Sequence, residues 1–463
     1  MARPRAFAMS HLVITLTCLL IGAPGPLLGE DKPKTSQAPD KKPAGKESPS
    51  ARDAAAAKSG DTPGSTSPSG KSDTRDLSYL LFPKDPTAGY SIPELRKALS
   101  DPDAKVRRSA AANLSHKGPA AKDALPELRK ALGDEDSTVR KSAVDALWSM
   151  GAAAKDAIPE LRKALGDNDP SVRIWAELAL RGIGPAAIRE LRKALSDPDS
   201  KVRESAIGVL ERMGTAAKDA IPDLCKALGD PNQDVRFAAA ISLSQMGPEA
   251  ADALGQALSG PNPIARKSAA DALSFMGSPA IPVLRSALSD QDPAVRKLAT
   301  RSLGLIGAEA SGLLYWVLGD PDESVRSSAA LSLACIGKAA VPHLRAALGD
   351  ERPHVRKSAA EALRLMGEKA KDAVPELHSA LGDEDQGVRR VAAQAMERIG
   401  SAAVPELRKA LGDSNPAVRR SAVQILGRLG PAAKPAAAEL RKALADRDPD
   451  VRSEAAQVLK SLE

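Results

Sequence analysis

Apolar residues follow a helical period along most of the chain. One representative stretch places its apolar residues at offsets 0, 4, 7, 8 and 11, namely Val139, Ala143, Ala146, Leu147 and Met150. These offsets lie on a single face of an α-helix. In several copies an N-cap residue and a proline come before the stretch, as in Asp169-Pro170, and a glycine such as Gly184 ends it. The pattern predicts amphipathic helices with defined ends.

This helical stretch recurs twelve times between Val106 and Val451, at intervals of 30 or 33 residues. A shorter motif, Pro-Glu-Leu-Arg-Lys-Ala-Leu, comes before many copies, as at residues 159–165. Each unit therefore encodes a short helix A and a longer helix B. One pair cannot bury its own apolar face, so the core must come from stacking neighbours. We predict an all-α protein, a right-handed α-solenoid of about twelve helix pairs over residues 91–463.

Two unit lengths occur because the 33-residue units contain an extra Lys-Asp-Ala, as at residues 155–157. Three residues are nearly one helical turn. The insertion therefore predicts that helix A starts earlier in these units, while helix B stays unchanged.

The N-terminal residues resemble an export signal. Arg3 and Arg5 stand before an apolar run at residues 12–21, and glycines and prolines follow that run. This order is typical of a secretory signal peptide, which we place at residues 1–29. An uncleaved membrane anchor is the alternative. The expected location is the periplasm, the cell envelope or the medium of a bacterium.

Two further segments come before the repeats. Residues 30–76 are rich in Pro, Ser, Lys and Ala and have few apolar side chains, which predicts a disordered linker. That linker is either a tether or a plain spacer. Residues 77–90 contain several apolar side chains and are predicted to cap the first repeat.

Composition excludes some classes of partner. The formal net charge is +7, and part of it lies before the repeats. The repeats are therefore almost balanced in charge over a long surface, which is not the pattern of a nucleic-acid-binding protein. Aromatic residues are 2% of the chain, a composition that favours closely packed helices over sheets.

The pattern Asp-x-Asp-Pro-x-Val-Arg-x-x-Ala-x-x-Ala-Leu-x-x-x-Gly resembles HEAT repeats in their short, phycobilisome-lyase-like form, over residues 91–463. The resemblance implies that helix A lines the convex side and helix B the concave side. It also implies a ladder between repeats, made of loop aspartates and helix B arginines. The expected pairs are Asp134/Arg140, Asp167/Arg173, Asp197/Arg203, Asp230/Arg236, Asp290/Arg296, Asp320/Arg326, Asp350/Arg356, Asp383/Arg389, Asp413/Arg419 and Asp446/Arg452. Gly260 and Ala265 depart from the pattern, which predicts a weak joint or a bend in that repeat.

Enzymes with similar repeats suggest two alternatives, an iron-dependent deoxyhypusine hydroxylase and a bilin lyase. The hydroxylase family binds iron through His-Glu pairs, and no histidine in this sequence is followed by glutamate. Bilin attachment is a cytoplasmic reaction, which disagrees with an export signal. The sequence also contains no phosphate-binding glycine loop and no nucleophile elbow. We therefore predict no catalytic residue, no metal and no cofactor.

A binding surface should show as apolar residues where most repeats are polar. Offsets 2, 6 and 9 of helix B face away from its buried stripe. Large apolar residues occupy these offsets at Trp148, Ile174, Leu178, Phe237, Ile241 and Leu331. Exposed apolar patches with aromatic residues are typical of contact sites. We predict a partner-binding groove on the concave face. The alternative is that curvature buries these side chains between neighbouring B helices.

Helix A departs from the pattern once in a similar way. Tyr315 and Trp316 replace the usual Arg-Lys pair within an otherwise apolar helix. The alternatives are a convex docking site, a place where the N-terminal segment folds back, and local packing.

These features together predict an exported bacterial scaffold that binds protein or peptide partners and has no catalytic activity. Alternatives are an envelope spacer that self-associates and a family-type enzyme. We expect no nucleic-acid partner and no small-molecule substrate, and membrane contact only through an uncleaved signal.

Overall fold

The computed structural model describes residues 85–462. The predicted export signal, the predicted linker and residues 77–84 of the predicted cap segment lie outside the described residues. All helices below belong to one compact unit, which includes residues 86–462.

Twelve helix pairs follow one another within residues 85–462, in agreement with the predicted α-solenoid. Odd-numbered helices are helix A of a pair, and even-numbered helices are helix B. In chain order they are α1 (Ile92–Ala98), α2 (Ala104–Lys117), α3 (Leu125–Ala131), α4 (Ser137–Met150), α5 (Ile158–Ala164), α6 (Pro170–Ile183), α7 (Ile188–Ala194), α8 (Ser200–Met213), α9 (Ile221–Ala227), α10 (Gln233–Ser244), α11 (Pro248–Leu258), α12 (Pro263–Met276), α13 (Ile281–Ala287), α14 (Pro293–Ile306), α15 (Ser311–Val317), α16 (Glu323–Ile336), α17 (Val341–Ala347), α18 (Pro353–Met366), α19 (Val374–Ala380), α20 (Gln386–Ile399), α21 (Val404–Ala410), α22 (Pro416–Leu429), α23 (Ala437–Ala443) and α24 (Pro449–Leu462).

Helix B begins and ends at the predicted residues. The Asp169 side chain accepts a hydrogen bond of 2.8 Å from the backbone N–H of Ser171, and Pro170 is the first helical residue of α6. This bond satisfies one of the amide groups that a helix start leaves unpaired. Gly184 ends α6 with a φ of 82°, a conformation that favours glycine.

The prediction of an earlier start for helix A is wrong. Helix A has seven α-helical residues both in α5, which follows a Lys-Asp-Ala insertion, and in α7, which does not. The insertion instead lengthens the preceding 3₁₀-helix, from the four residues of Gly184–Ala187 to the seven of Gly151–Ala157. A 3₁₀-helix has three residues per turn, so Ala154 and Ala157 face the same way, and both are fully buried.

The core runs through the array as one continuous layer between A and B helices. In the third pair, Leu161 of α5 and Val172, Ala176 and Leu180 of α6 are fully buried. Neighbouring B helices pack against one another more extensively than neighbouring A helices do. This follows from helix length, since α6 has 14 residues and α5 has seven.

Thr87, which precedes the first helix, packs against the first helix pair. Thr87 is fully buried and its hydroxyl oxygen accepts a hydrogen bond of 2.9 Å from the Asn113 side-chain amide of α2. The capping role of residues 77–90 as a whole stays a prediction.

Candidate functional site

The ladder between repeats forms, but its pairing differs from the expectation. Arg140 donates from Nε and Nη2 to the two carboxylate oxygens of Asp167, at 2.7 and 2.8 Å. Its Nη1 donates to the backbone carbonyl of Asp134, at 2.8 Å. The expected Asp134/Arg140 ion pair is therefore wrong, because the carboxylate comes from the following repeat. The loop of Arg140's own repeat contributes carbonyl oxygens only.

Six arginines make this forked contact with the aspartate of the next repeat. They are Arg107, Arg140, Arg203, Arg296, Arg356 and Arg419. Arg107, in the first helix pair, was not among the predicted ladder arginines, although Asp101 stands before it as Asp134 stands before Arg140. Two parallel hydrogen bonds between a guanidinium and a carboxylate fix geometry as well as adding energy. The ladder is therefore a structural device, which removes these side chains from the candidate binding residues.

The other five predicted ladder arginines donate hydrogen bonds only to backbone carbonyl oxygens of their own loops. They are Arg173, Arg236, Arg326, Arg389 and Arg452. In two cases another arginine takes the next aspartate: Arg162 pairs with Asp197 and Arg352 with Asp350, both at 3.0 Å. After Arg236 the sequence itself lacks the aspartate, because Gly260 stands at that position.

A groove opens on the B face across α10, α12 and α14. It has a volume of about 560 Å³ and includes Phe237, Ile264 and Phe275 in its wall. Phe237 is 54% exposed and Ile264 49%. The rings of Phe237 and Phe275 meet edge to face, with 6.2 Å between their centroids. We call this surface the Phe237 groove.

Charged side chains surround the aromatic wall of the Phe237 groove. Arg236, Lys267 and Arg301 line it together with Asp271. Burial raises the pKa of the Asp271 carboxyl above its ordinary value, and the nearby Arg301 and Lys267 oppose that rise. The ionised form of this carboxyl is therefore disfavoured by its surroundings. The groove combines exposed aromatic surface with three cations and one carboxyl group.

A second aromatic cluster lies on α4 and α6. Trp148 is 43% exposed and meets the edge of Trp175 with 5.5 Å between ring centroids. Ile174 is exposed and Leu178 is half-buried on α6. We call this surface the Trp148 cluster.

The predicted concave residues do not form one continuous groove. Helix α8 separates the Trp148 cluster from the Phe237 groove, and Glu211 and Arg212 of α8 make polar contacts with the helices on either side. Ile241 is half-buried on α10 and Leu331 is half-buried on α16, outside the residues that line the groove.

Sequence reasoning missed Ile264, Asp271 and Phe275. Phe275 lies at offset 10 of its helix B, outside the offsets 2, 6 and 9 at which a binding surface was expected. Arg212 and Arg398 occupy offset 10 in other repeats. A large aromatic residue at that offset was therefore a signal that a wider comparison would have found.

The A face has a separate apolar surface at α13 and α15. Trp316 is 70% exposed and meets the edge of Tyr315 with 5.3 Å between ring centroids. A hollow of about 390 Å³ lies beside Trp316 and is partly lined by Leu288 and Leu313.

This A-face surface coincides with an interruption of a second ladder, which was not predicted. Elsewhere an arginine of one A helix pairs with an acidic residue of the next, as in Arg129 and Glu160 at 2.8 Å. In α15, Leu313 and Tyr315 occupy the positions of the acidic residue and the arginine. The apolar surface thus lies where ionic pairing between A helices is lost.

A family model for HEAT repeats matches residues 92–181, 188–274, 251–312, 310–396 and 374–460. The chain belongs to the HEAT repeat family. The short, phycobilisome-lyase-like form within that family stays a prediction. No curated protein matches this sequence.

Several solved structures are similar to this HEAT repeat protein. An engineered protein is 25% identical, with 80% of this chain and 98% of that chain covered and a TM-score of 0.24. Kap121p is 15% identical, with 82% of this chain and 50% of that chain covered and a TM-score of 0.40. The karyopherin Kap121p bound to the extreme C-terminus of the protein phosphatase Cdc14p is 16% identical, with 83% and 52% covered and a TM-score of 0.39. The HEAT repeat chain thus spans about half the length of Kap121p.

Metal-binding clusters and membrane-spanning helices are both absent from residues 85–462. No group of three or more His, Cys, Asp or Glu side chains in this part of the chain is placed to hold a metal ion. No helix in the same range is both long enough and apolar enough to cross a membrane.

Proposed function

We propose that this HEAT repeat protein is an exported, non-catalytic scaffold that binds a protein or peptide partner through its B face. The observation that supports this most directly is the Phe237 groove, with Phe237 and Ile264 both about half exposed beside Phe275. Apolar side chains of this size on an otherwise polar face are typical of contact sites. Aromatic residues contribute large contact areas and are enriched among the residues that dominate binding.

The charged residues that recur from repeat to repeat have structural roles, which supports looking for the binding site among the exposed apolar residues. Arginine and aspartate residues form the ladder, and the aspartates that start helix B cap it. Leu180 and Leu210, on two other B helices, are fully buried, in contrast to Phe237.

Export is part of the proposal and is supported by the sequence of residues 1–29, with its basic residues, apolar run and helix-breaking end. Cell fractionation and N-terminal sequencing of the mature protein test it. Recovery from the cytoplasm with Met1 intact would contradict export.

The binding test is a selection of random displayed peptides on the full chain. We expect the enriched peptides to bind the wild-type protein and not to bind the Phe237→Ala variant. Leu444→Ala serves as the matched control, because Leu444 is an apolar residue of similar exposure, 44%, near the last helix pair. If the peptides still bind the Phe237→Ala variant but no longer bind the Trp148→Ala variant, the binding site is the Trp148 cluster instead.

A second candidate function is a structural element that associates with copies of itself, and the exposure of Trp316 favours it. Trp316 lies on the opposite face from the Phe237 groove, beside an apolar hollow. Light scattering over a range of protein concentrations tests this candidate. Concentration-dependent growth in mass that Trp316→Ala abolishes would support it, and a constant monomer mass would exclude it.

A further inference from the structure

Arg236 lacks the aspartate partner that six other arginines of the ladder have, because Gly260 stands at the position of that aspartate. Arg203, one repeat earlier, donates from Nε and Nη2 to Asp230 at 2.7 and 2.8 Å. Arg236 keeps the contacts of its Nη1 with the carbonyl oxygens of Asp230 and Pro231, at 2.7 and 3.0 Å. Its Nε and Nη2 have no hydrogen-bond partner within residues 85–462, since Gly260 provides no side chain at the ladder position.

The position of Arg236 makes this difference relevant to binding. Arg236 is half-buried and lines the Phe237 groove beside Phe237 itself. Its guanidinium is anchored on one side by the two carbonyl oxygens, so the two remaining nitrogens are held in place before any partner arrives. A preordered fork of this kind suits a carboxylate, which can accept two parallel hydrogen bonds.

We propose that a carboxylate of the partner binds Nε and Nη2 of Arg236, in the place that the ladder aspartate fills in six other repeats. The partner is a peptide segment in which an acidic residue stands close to an aromatic or aliphatic residue. The apolar side chain packs against Phe237, Ile264 and Phe275. This inference rests on the proposed function and specifies the chemistry of its ligand.

The charges of the groove favour an acidic occupant over a basic one. Lys267 and Arg301 add two cations to Arg236, whereas Asp271 is the one acidic side chain among the lining residues. Complementary charge raises the association rate and disfavours partners of the wrong sign. A basic peptide would meet three cations, and only Asp271 would attract it.

The test extends the peptide selection to ladder variants of the full chain. Peptides enriched on the wild type are expected to contain Asp or Glu close to an apolar residue. For the strongest peptide, replacing that acidic residue by its amide should weaken binding about tenfold, the effect of one charge-assisted contact. Gly260→Asp should abolish this preference. The new aspartate would accept the hydrogen bonds from Nε and Nη2 of Arg236, as the ladder aspartate does in six other repeats, so the peptide carboxylate could not.

Gly260→Asn is the matched control, since asparagine fills the same space without charge. It should retain the preference for the acidic peptide. Enriched peptides without an acidic residue, equal affinity for the acid and amide forms, or an unchanged preference in Gly260→Asp would each overturn the proposal.

Failure of this inference can be distinguished from failure of the proposed function. The peptides could fail to bind the Phe237→Ala variant and yet bind the wild type equally well in acid and amide form. That result would keep the groove as the binding site and refute the carboxylate contact. If no peptide is enriched, or if none depends on Phe237, the proposed function itself fails and the inference fails with it.

Discussion

Arg356 holds Asp383 of the next repeat through two parallel hydrogen bonds, 2.7 Å from Nε to Oδ2 and 2.9 Å from Nη2 to Oδ1. Its Nη1 donates at 2.9 Å to the carbonyl oxygens of both Asp350 and Glu351. The side chains of Arg356 and Asp383 are only 10% and 9% exposed. One guanidinium thus closes its own loop and joins it to the next repeat.

Removal of this guanidinium should destabilise the array locally. Arg356→Ala leaves the nearly buried Asp383 carboxylate and two loop carbonyls without their donor, which costs about 3 kcal/mol of unfolding free energy. We expect a lower urea midpoint and faster amide hydrogen exchange in α18 and α20. Exchange should change less in distant repeats, because each repeat contacts only its neighbours.

Arg345→Ala is the control for this prediction. Arg345 pairs with Glu376 at 2.6 Å on the A face, but the two side chains are 45% and 30% exposed. An exposed ion pair contributes little because water screens it. An Arg345→Ala variant as unstable as Arg356→Ala would show that the forked contact has no special role.

Completion of the ladder at the sixth repeat should stabilise the protein. Gly260→Asp offers Arg236 the carboxylate that Arg203 already has, and a charge-assisted pair is expected to add about 1 kcal/mol. The urea midpoint should rise. In the background of Arg236→Ala the same substitution should give no gain, and a gain of equal size there would assign the effect to the loss of glycine instead.

The repeat fold was predictable from the sequence because each helix has local signals for its start, its buried face and its end. Asp169, Pro170 and Gly184 show these signals in a single repeat. The ladder pairing was not predictable from one repeat, because Asp134 and Asp167 are equivalent in sequence. Which of them Arg140 reaches depends on how neighbouring repeats stack.

The candidate site was predictable only in part. Phe237 departs from the repeat pattern at a position that the sequence shows to be exposed. Its grouping with Ile264 and Phe275 of the next B helix depends on the distance and rotation between helices. The sequence therefore indicated single anomalous residues, whereas stacking decided which of them form one surface.

The pH dependence of stability should have opposite signs for two aspartates. Burial raises the pKa of Asp271, so its protonated form is favoured on folding, and its contribution to stability is lost as pH rises through that raised pKa. Asp271→Asn should therefore raise the urea midpoint at pH 7, with a smaller effect in acid below the ordinary carboxyl range.

Asp446 gives the comparison. The hydrogen bonds from Arg419 lower its pKa, so its contribution is present above the ordinary carboxyl pKa and is lost as pH falls through the lowered value. Asp446→Asn should destabilise the protein at pH 7. Urea midpoints of the two variants, measured from neutral pH into acid, check both signs, and a shift in the same direction at pH 7 would contradict the assignment.

The two unit lengths should be interchangeable by deletion. Removing Lys155, Asp156 and Ala157 converts the seven-residue 3₁₀-helix Gly151–Ala157 into a segment with the length of Gly184–Ala187. Helices α4 and α5 keep all their residues, so the circular dichroism spectrum should be unchanged and cooperative unfolding should remain. Only the buried methyl of Ala157 is lost from the core, and we expect a modest fall in melting temperature.

Deletion of three residues within α4, such as 145–147, moves its remaining apolar residues off the buried face and should abolish cooperative unfolding. If the first deletion were as damaging as the second, the longer 3₁₀-helix would be a requirement of the third repeat and not an alternative connection.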